Sequence, residues 1–228
     1  MNIAIIPARG GSKRILGKNI KEFCGKPMIA YAITAAKESG LFEHIVVSTD
    51  DEEIAQIARA WGGETPFIRP AELANDYTAT VPVIAHGIQT CRILGWVFEH
   101  VCCIYPGVPF IRIDDLKASL ALLTKGGADY SFPVTEFPTA IQRAFRLLSD
   151  SKTQPFYPQF ETTRTQDLEP AYHDAGQFYW GNAEAWLQNP KVHSSGVGHV
   201  IPHWRVVDID TDADWRRAEL MYSTALVR

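Results

Sequence analysis

The first residues whose types could do chemistry follow a buried strand near the start of the chain. Ile3 to Pro7 is a mostly apolar run, and the chain then enters a loop rich in glycine and cationic side chains. Arg9, Lys13, Arg14 and Lys18 bring four positive charges into this short loop. Gly10 and Gly11 have no Cβ, so an anion can approach their backbone closely while the neighbouring cations bind it. The pattern predicts a polyphosphate site.

The spacing of the glycines separates this loop from other phosphate-binding loops. Gly11 and Gly17 are too far apart for the mononucleotide pattern G-x-x-x-x-G-K-[ST], and no G-x-G-x-x-G occurs. The alternative is a basic surface turn without a ligand, which leaves unexplained why glycines and cations directly follow a buried strand. The candidate nucleotide-binding residues here are Ala8, Arg9, Gly10, Gly11, Ser12, Lys13 and Asn19, and Lys18 is a candidate catalytic residue.

A pair of carboxylates late in the chain could hold a metal ion. Val206 to Asp210 alternates as a strand would, which places Asp208 and Asp210 on one face. Neighbouring carboxylates repel unless a cation lies between them, and Mg²⁺ takes a couple of carboxylates together with substrate phosphates. The alternative, an acidic strand end that caps a helix, explains Thr211 and Asp214 better than it explains the pair. We therefore expect Mg²⁺ as a cofactor, with Asp208 and Asp210 as metal ligands and catalytic residues.

The elements that must position these residues alternate between strands and helices. Apolar runs predict buried strands at 3–7, 45–49, 98–105 and 130–134. Helical periods predict helices at 28–39, about 81–94 and about 213–225. Asp50 with Glu53 has capping-box spacing for one more helix. This order predicts one α/β domain over residues 1–228, with a doubly wound, mostly parallel sheet of the nucleotidyltransferase (Rossmann-like) type.

The loop also resembles a known signature. Arg9-Gly10-Gly11-Ser12-Lys13 followed by Lys18-Asn19 is similar to the motif of the CMP-sugar synthetases, which are cytidylyltransferases that activate acidic sugars with CTP. A second segment, which begins at Arg69-Pro70, resembles the family pattern R-P-x-x-L-A-x-D-x-T that lies against the nucleotide. The resemblance adds Arg69, Thr78 and Thr80 as candidate nucleotide contacts. Each of the three is equally well a surface residue on its chemistry alone.

Two further segments depart from the neuraminate branch of that family. Where its members carry Q-P-T-S-P-L-R, Tyr105 replaces the Gln that touches the acid sugar. Where they carry R-x-N-G-A-I-Y, Gly176 and Tyr179 match, Ala175 replaces a sugar-contacting Asn, and Gln177 is new. The resemblance thus leans toward the pseudaminic acid cytidylyltransferases, and it implies that Tyr105, Gln177 and Tyr179 contact the sugar.

A stretch with no clear period lies within residues 136–175. A loop of this length in a compact chain is usually functional or makes contacts. In the CMP-sugar synthetases an excursion at this place carries the dimer contact and helps to close the sugar site. We therefore expect a homodimer, with Phe156, Tyr157 and Phe160 as its buried aromatic residues.

Composition narrows the classes of partner. A net charge of -4, with 21% charged residues, gives no support for nucleic acid or a membrane surface as a partner. No apolar run approaches the ~20 residues that a membrane span needs, and no signal peptide is recognisable. We expect a cytoplasmic protein with reduced cysteines.

The resemblance implies a specific reaction. It is the transfer of CMP from CTP to the anomeric hydroxyl of a nonulosonic acid, in this branch pseudaminic acid, with release of pyrophosphate, for bacterial surface glycans or flagellin. The nearest alternative is the same transfer to N-acetylneuraminate or legionaminate. An alternative of another class is a nucleotide-binding protein without turnover, which would not require the carboxylates of Asp208 and Asp210.

Overall fold

A seven-stranded sheet lies at the centre of the fold, with two small two-stranded sheets outside it. The computed structural model describes residues 1–224. The strands are β1 Asn2–Pro7, β2 Glu22–Phe23, β3 Lys26–Pro27, β4 His44–Ser48, β5 His100–Ile104, β6 Tyr130–Glu136, β7 Phe145–Leu147, β8 Thr153–Pro155, β9 Tyr172–Asp174, β10 Phe178–Asn182 and β11 Gly196–Val200. The helices are α1 Met28–Ser39, α2 Glu52–Trp61, α3 Thr80–Ile93, α4 Ile113–Thr124, α5 Ala183–Gln188 and α6 Asp212–Ser223.

The sheet order is β11-β6-β10-β5-β1-β4, with β9 beside β6. Strand β1 is parallel to β4 and β5, and β11 is parallel to β6. Strand β10 runs antiparallel between β5 and β6, and β9 is antiparallel to β6. The predicted α/β class with a mostly parallel sheet is confirmed.

Both faces of the sheet are buried, and β1 shows how the sequence achieves this. Ala4 and Ile6 pack into the cluster that contains α1 and α2, while Ile3 and Ile5 pack into the cluster that contains α3 and α5. Alternate residues of a strand point to opposite faces, so a continuous apolar run covers both. Burying one such isoleucine side chain contributes about 1.5–3 kcal/mol. Burial on both faces therefore fixes the position of β1, and with it the start of the loop that follows.

Helix ends follow the sequence at some positions and not at others. Helix α1 ends at Gly40, whose φ is 64°, and α6 begins with the expected capping box between Thr211 and Asp214. The expected cap at Asp50 is wrong, because Asp51 caps α2 by accepting from the backbone N–H of Glu53 and Ile54. The predicted end of the last helix near residue 225 lies outside the described residues.

The expected strand over 206–210 is also wrong. These residues pair with none of the described strands. Burial varies only along the last three of them, with Asp208 exposed, Ile209 buried and Asp210 half-buried, while Val206 and Val207 are both half-buried. Ile209 packs in a third cluster with Phe23 and Trp215 of α6. This variation in burial therefore comes from one inserted side chain on an extended segment and not from a sheet.

The chain between β6 and β9 forms an excursion from the main sheet. It holds the hairpin of β7 and β8 and three short 3₁₀ helices, Ile141–Arg143, Pro158–Phe160 and Thr165–Asp167. Arg143 closes its base by donating to the carbonyl oxygens of Phe160, Glu161 and Thr163. Within residues 1–224, no helix has the length and apolar character to cross a bilayer.

Candidate active site

The sheet topology brings three separate segments to one edge. Strands β1 and β5 are parallel neighbours, so the loop after Pro7 and the turn after Ile104 leave the sheet side by side. Strand β10 is antiparallel to β5 with Phe178 opposite Ile104, which places the residues just before Phe178 at the same edge. A cavity of about 580 Å³ opens there. Ligands in open α/β sheets bind at this carboxyl edge of the strands.

The cavity brings together much of the predicted site. One side is the basic loop, residues 8–19, and the opposite side is the acidic segment, residues 206–210. The predicted residues that line it are Arg9, Ser12, Lys13, Lys18, Asn19, Tyr105, Asp208 and Asp210. The predicted residues that do not line it are Ala8, Gly10, Gly11, Arg69, Thr78, Thr80, Gln177 and Tyr179.

The first two cations of the basic loop share one carboxylate. Arg9 lies 2.6 Å and Lys13 2.5 Å from the two oxygens of Asp76. Hydrogen bonds from Lys13 and Arg9 lower the pKa of Asp76. All three side chains are partly exposed, so the pairs are screened by water and salt. An incoming anion can replace the carboxylate at both cations.

The other two cations of the basic loop reach across the cavity to the acidic segment. Arg14 NH1 lies 2.5 Å from Asp210 Oδ2, and Lys18 Nζ lies 3.5 Å from Asp210 Oδ1. Lys18 lies over Gly107, where a Cβ would be 3.3 Å from its Cε. A Cβ at position 107 would require Lys18 to shift by a few tenths of an ångström. Gly107 is therefore part of how the cavity presents this lysine.

Several residues of the basic loop hold its backbone in place. The amide of Asn19 donates to the carbonyl of Arg9 at 2.9 Å, and Ala8 is held by its N–H to Ser48. Gly10 donates its N–H to Asp50 at 3.0 Å, and a Cβ there would be 2.5 Å from an oxygen of Asp51. The absence of a side chain at Gly10 thus serves packing against the start of α2.

The second motif, which begins at Arg69-Pro70, and the following Thr80 do not line the cavity but contact residues near it. Arg69 is buried and donates to the hydroxyl and carbonyl oxygens of Ser48, and burial lowers its pKa to about 10. Thr78 donates its hydroxyl to the carbonyl of Glu72. Thr80 shares a 2.9 Å hydrogen bond with the hydroxyl of Tyr105. In this structure the segment reaches cavity-lining residues through Asp76, which pairs with Arg9 and Lys13, and through Thr80, which is hydrogen-bonded to Tyr105.

The candidate sugar contacts are arranged in two layers. Tyr105 lines the cavity, with its ring centroid 5.4 Å from that of Tyr179 behind it. Burial is the main cause of the raised pKa of both phenols, so both stay protonated. Tyr179 donates to Asp174 at 2.6 Å, while the amide nitrogen of Gln177 donates to the carbonyl of Arg205 at 2.8 Å. Tyr105 also borders a smaller cavity of about 290 Å³.

Comparison with known proteins places the chain in a family. The family model described as cytidylyltransferase matches residues 3–184. The chain belongs to the cytidylyltransferase family. A pseudaminic acid cytidylyltransferase of Campylobacter jejuni is 42% identical over 97% of this chain and 96% of its own length. A CMP-N,N'-diacetyllegionaminic acid synthase of Legionella pneumophila is 29% identical over 95% of this chain and 94% of its own length.

Solved structures support the same fold. A CMP:2-keto-3-deoxy-manno-octonic acid synthetase complexed with CTP aligns with a TM-score of 0.73 over 97% of this chain and 98% of its own. Only 16% of the aligned residues are identical, so the likeness concerns the fold alone. It agrees with the expected nucleotidyltransferase type of sheet.

Three cavity residues of this cytidylyltransferase escaped the sequence-based assignment. Arg14 was one of the four loop cations, but no motif position singled it out. Asp174 and His173 line the cavity from β9. Asp174 accepts hydrogen bonds from Gly176, Tyr179 and His193, which explains its place in terms of structure. No periodicity or spacing in the sequence would have identified these two.

The metal-binding capacity of the cavity rests on two carboxylates, those of Asp208 and Asp210. Among residues 1–224, no group of three or more His, Cys, Asp or Glu side chains is arranged to hold a metal. Asp208 and Asp210 offer hard oxygen ligands beside the basic loop. That set fits Mg²⁺, which is commonly held by one or two carboxylates and substrate phosphates.

Proposed function

We propose that this cytidylyltransferase transfers CMP from CTP to the anomeric hydroxyl of pseudaminic acid and releases pyrophosphate. The observation that carries the proposal is one cavity lined by all four cations of the basic loop and by Asp208 and Asp210, with Arg14 and Lys18 paired to Asp210. The 42% identity to a pseudaminic acid cytidylyltransferase over nearly the whole chain supports the choice of sugar. The product would serve bacterial surface glycans or flagellin.

The basic loop supplies the electrostatics of the reaction. The anomeric hydroxyl loses its proton to solvent as its oxygen attacks the α-phosphorus. A new P–O bond forms, and the bond from the α-phosphorus to the bridging oxygen breaks, so that this oxygen leaves with pyrophosphate. Negative charge develops on the leaving pyrophosphate, where Arg9, Lys13 and Lys18 can donate charge-assisted hydrogen bonds. Asp76 pairs with Arg9 and Lys13, and Asp210 pairs with Lys18, so these cations are held near one another before CTP binds. The phosphate oxygens of CTP would then take the place of the carboxylate oxygens as hydrogen-bond acceptors.

We further propose that the activity depends on Mg²⁺, held by Asp208 and Asp210. A bound Mg²⁺ would neutralise charge on the α-phosphate and lower the pKa of the attacking hydroxyl. Asp210 is paired with Arg14 and Lys18 in the described structure. When those cations turn to the triphosphate, the Asp210 carboxylate becomes available as a ligand. Nucleotide and metal binding should therefore be cooperative.

The sugar is proposed to bind beside Tyr105, toward Tyr179 and Gln177. Tyr105 offers a hydroxyl fixed by Thr80. A phenol that remains protonated can both donate to and accept from a sugar hydroxyl. We place the reaction in the cytoplasm, where CTP is available and where the four cysteines, all free thiols, would stay reduced.

A homodimer formed through the excursion is also proposed. The hairpin of β7 and β8 presents Phe145, Leu147 and Phe156, which are 58%, 72% and 50% exposed. Clustered exposed apolar side chains of this kind mark protein interfaces. Leu147→Asp should give a monomer in light scattering, while Ile93→Asp, at an 85% exposed position on α3, should leave the mass unchanged. Equal masses for both variants would remove the hairpin from the interface.

The proposed reaction is tested by measuring pyrophosphate release with CTP, Mg²⁺ and a panel of acid sugars. Pseudaminic acid should give the highest kcat/KM, ahead of N,N'-diacetyllegionaminic acid and N-acetylneuraminate. A higher value for another sugar would keep the chemistry and change the substrate. Tight CTP binding without pyrophosphate release for any sugar would favour a nucleotide-binding protein without turnover.

A further inference from the structure

The acidic segment lacks the support that a sheet would give it. Residues 206–210 pair with none of the described strands, yet four of them, all except Ile209, line the cavity together with the basic loop. Outside a sheet, an extended segment lacks the ladder of backbone hydrogen bonds that would hold it. The position of Asp208 and Asp210 therefore depends on the residues that flank them, in addition to the ion pairs of Asp210 with Arg14 and Lys18.

The C-terminal side of the segment is held by α6. Ile209 is 1% exposed and packs with Phe23 and Trp215. The capping box of Thr211 and Asp214 fixes the start of the helix directly after Asp210. Val207 packs against the same cluster, so these contacts hold the part of the segment nearest α6.

The N-terminal side is held by a buried ion pair. Arg205 directly precedes the acidic segment and forms a forked contact with Asp115, in the first turn of α4. The two side chains are only 7% and 9% exposed. Asp115 also accepts a 3.0 Å hydrogen bond when His199 Nε2 carries a proton. A planar guanidinium bound through two nitrogens has little rotational freedom, so the pair fixes the orientation of Arg205.

The backbone of Arg205 is also tied to the opposite side of the cavity. Its carbonyl accepts a 2.8 Å hydrogen bond from the amide nitrogen of Gln177, which is 4% exposed. The carbonyl of Gln177 in turn accepts from the N–H of Tyr105 at 2.9 Å. A continuous series of hydrogen bonds therefore joins Tyr105, next to the proposed sugar, to the residue that starts the acidic segment.

We infer that Arg205, held by Asp115, is a positioning residue that places Asp208 and Asp210 opposite the basic loop. It touches neither substrate and acts through the backbone of the segment that follows it. The inference rests on the proposed function, because it assigns a purpose to the placement of those two carboxylates. A shift of about 1 Å at a reacting centre can cost on the order of a hundredfold in rate.

Two variants test the inference without leaving a buried charge unpaired. Arg205→Met combined with Asp115→Leu replaces both charges by apolar groups, an exchange that is often neutral for folding. Arg205→Lys keeps the charge but loses the forked contact. Arg92→Lys is the matched control, since Arg92 pairs with Glu184 on the surface and does not line the cavity. Each protein is assayed for thermal stability, CTP affinity, kcat, KM and the Mg²⁺-dependent rise in Tm with CTP present.

A positioning role predicts a loss in kcat that stability does not explain. We expect kcat of the double variant to fall about ten- to a hundredfold while CTP affinity stays within about threefold. Arg205→Lys should recover part of the rate, and the Mg²⁺-dependent rise in Tm should shrink in step with kcat. A folded double variant with parental kcat and parental Mg²⁺ response would overturn the inference. If the double variant does not fold, parental values in Arg205→Lys would overturn it.

Failure of the proposed function would look different. A parent protein that releases no pyrophosphate with any acid sugar would contradict the reaction before any variant is made. The Mg²⁺-dependent rise in Tm with CTP would then still report whether Arg205 places the two carboxylates.

Discussion

Arg14 donates a 2.5 Å hydrogen bond to Asp210, which joins the basic loop to the acidic segment across the cavity. Lys18 approaches the other oxygen of the same carboxylate at 3.5 Å. In the described structure Asp210 is thus a partner of two cations. Removing the charge of Asp210 should therefore have two opposed effects on stability. It eases the repulsion between Asp208 and Asp210, but it leaves Arg14 and Lys18 without their partner.

Asp210→Asn should nearly abolish turnover and leave the fold intact. The change keeps the shape but removes a hard anionic ligand, and we expect kcat to fall roughly a hundredfold or more. Exposed ion pairs contribute about 0.2–1 kcal/mol each, so Tm without nucleotide should be unchanged or slightly lower. Pyrophosphate release and calorimetry check both parts.

Asp212→Asn is the matched control for Asp210→Asn. Asp212 lies in the first turn of α6, pairs only loosely with Lys21 at 3.6 Å, and does not line the cavity. Near-normal turnover in both variants would assign the acidic segment to structure. Loss of turnover in both would point to the start of α6 and not to the carboxylate of Asp210.

Asp76→Asn should tighten CTP binding. Asp76 competes with the triphosphate for Arg9 and Lys13, and hydrogen bonds from these residues lower its pKa. A lowered carboxyl pKa means that the pairs persist above the ordinary pKa and are lost as the pH falls through the lowered one. At neutral pH the competition is therefore at full strength. We expect the Kd for CTP to fall about two- to tenfold at low salt, with a smaller effect at high salt.

Glu72→Gln, an exposed change in the same loop, serves as the control and should leave the Kd for CTP unaltered. Weaker CTP binding in Asp76→Asn would mean that Asp76 holds the basic loop in shape for the nucleotide. Isothermal titration at two salt concentrations distinguishes these outcomes.

Lys18→Ala should weaken transition-state binding while Lys21→Ala should not. A charge-assisted hydrogen bond contributes about 1.5–3 kcal/mol, which corresponds to a roughly ten- to a hundredfold loss in kcat/KM. Lys21 lies three residues further on, stacks over Trp215 at 4.6 Å and does not line the cavity. Equal kinetics for Lys18→Ala and the parent would show that this lysine does not meet the triphosphate.

Changes at Tyr105 should alter the choice of sugar. Tyr105→Gln should shift the ratio of kcat/KM values among acid sugars and leave CTP affinity nearly intact. Tyr105→Phe keeps the ring but removes the hydroxyl that contacts Thr80, so it separates shape from hydrogen bonding. Loss of CTP affinity in both variants, with unchanged sugar preference, would place Tyr105 on the nucleotide side of the cavity.

Local signals predicted the parts of the fold that depend on neighbouring residues. The continuous apolar run of β1, the stop at Gly40 and the capping box at Thr211 each follow from a few adjacent side chains. The basic loop and the turn at Tyr105 then meet because β1 and β5 are parallel neighbours. These features were enough to predict the class of fold and eight of the residues that line the cavity.

Features that depend on distant partners could not be predicted in this way. Which of Asp50 and Asp51 caps α2 is decided by Gly10, whose N–H takes Asp50 as its partner. The sequence of the acidic segment alternates like a strand, but only the tertiary structure shows that none of the described strands pairs with it. Arg69 reads as an exposed cation in its motif, and its burial against Ser48 has no local signal.

The proposed transfer is tested most directly by following CTP with ³¹P NMR in the presence of the protein, Mg²⁺ and pseudaminic acid. We predict that the triphosphate signals disappear while a phosphodiester signal and pyrophosphate appear in equal amounts, with mass spectrometry identifying the diester as CMP-pseudaminic acid. Unchanged CTP signals at CTP concentrations that saturate the enzyme would contradict the proposed transfer. Conversion of CTP to CDP and phosphate would also contradict it.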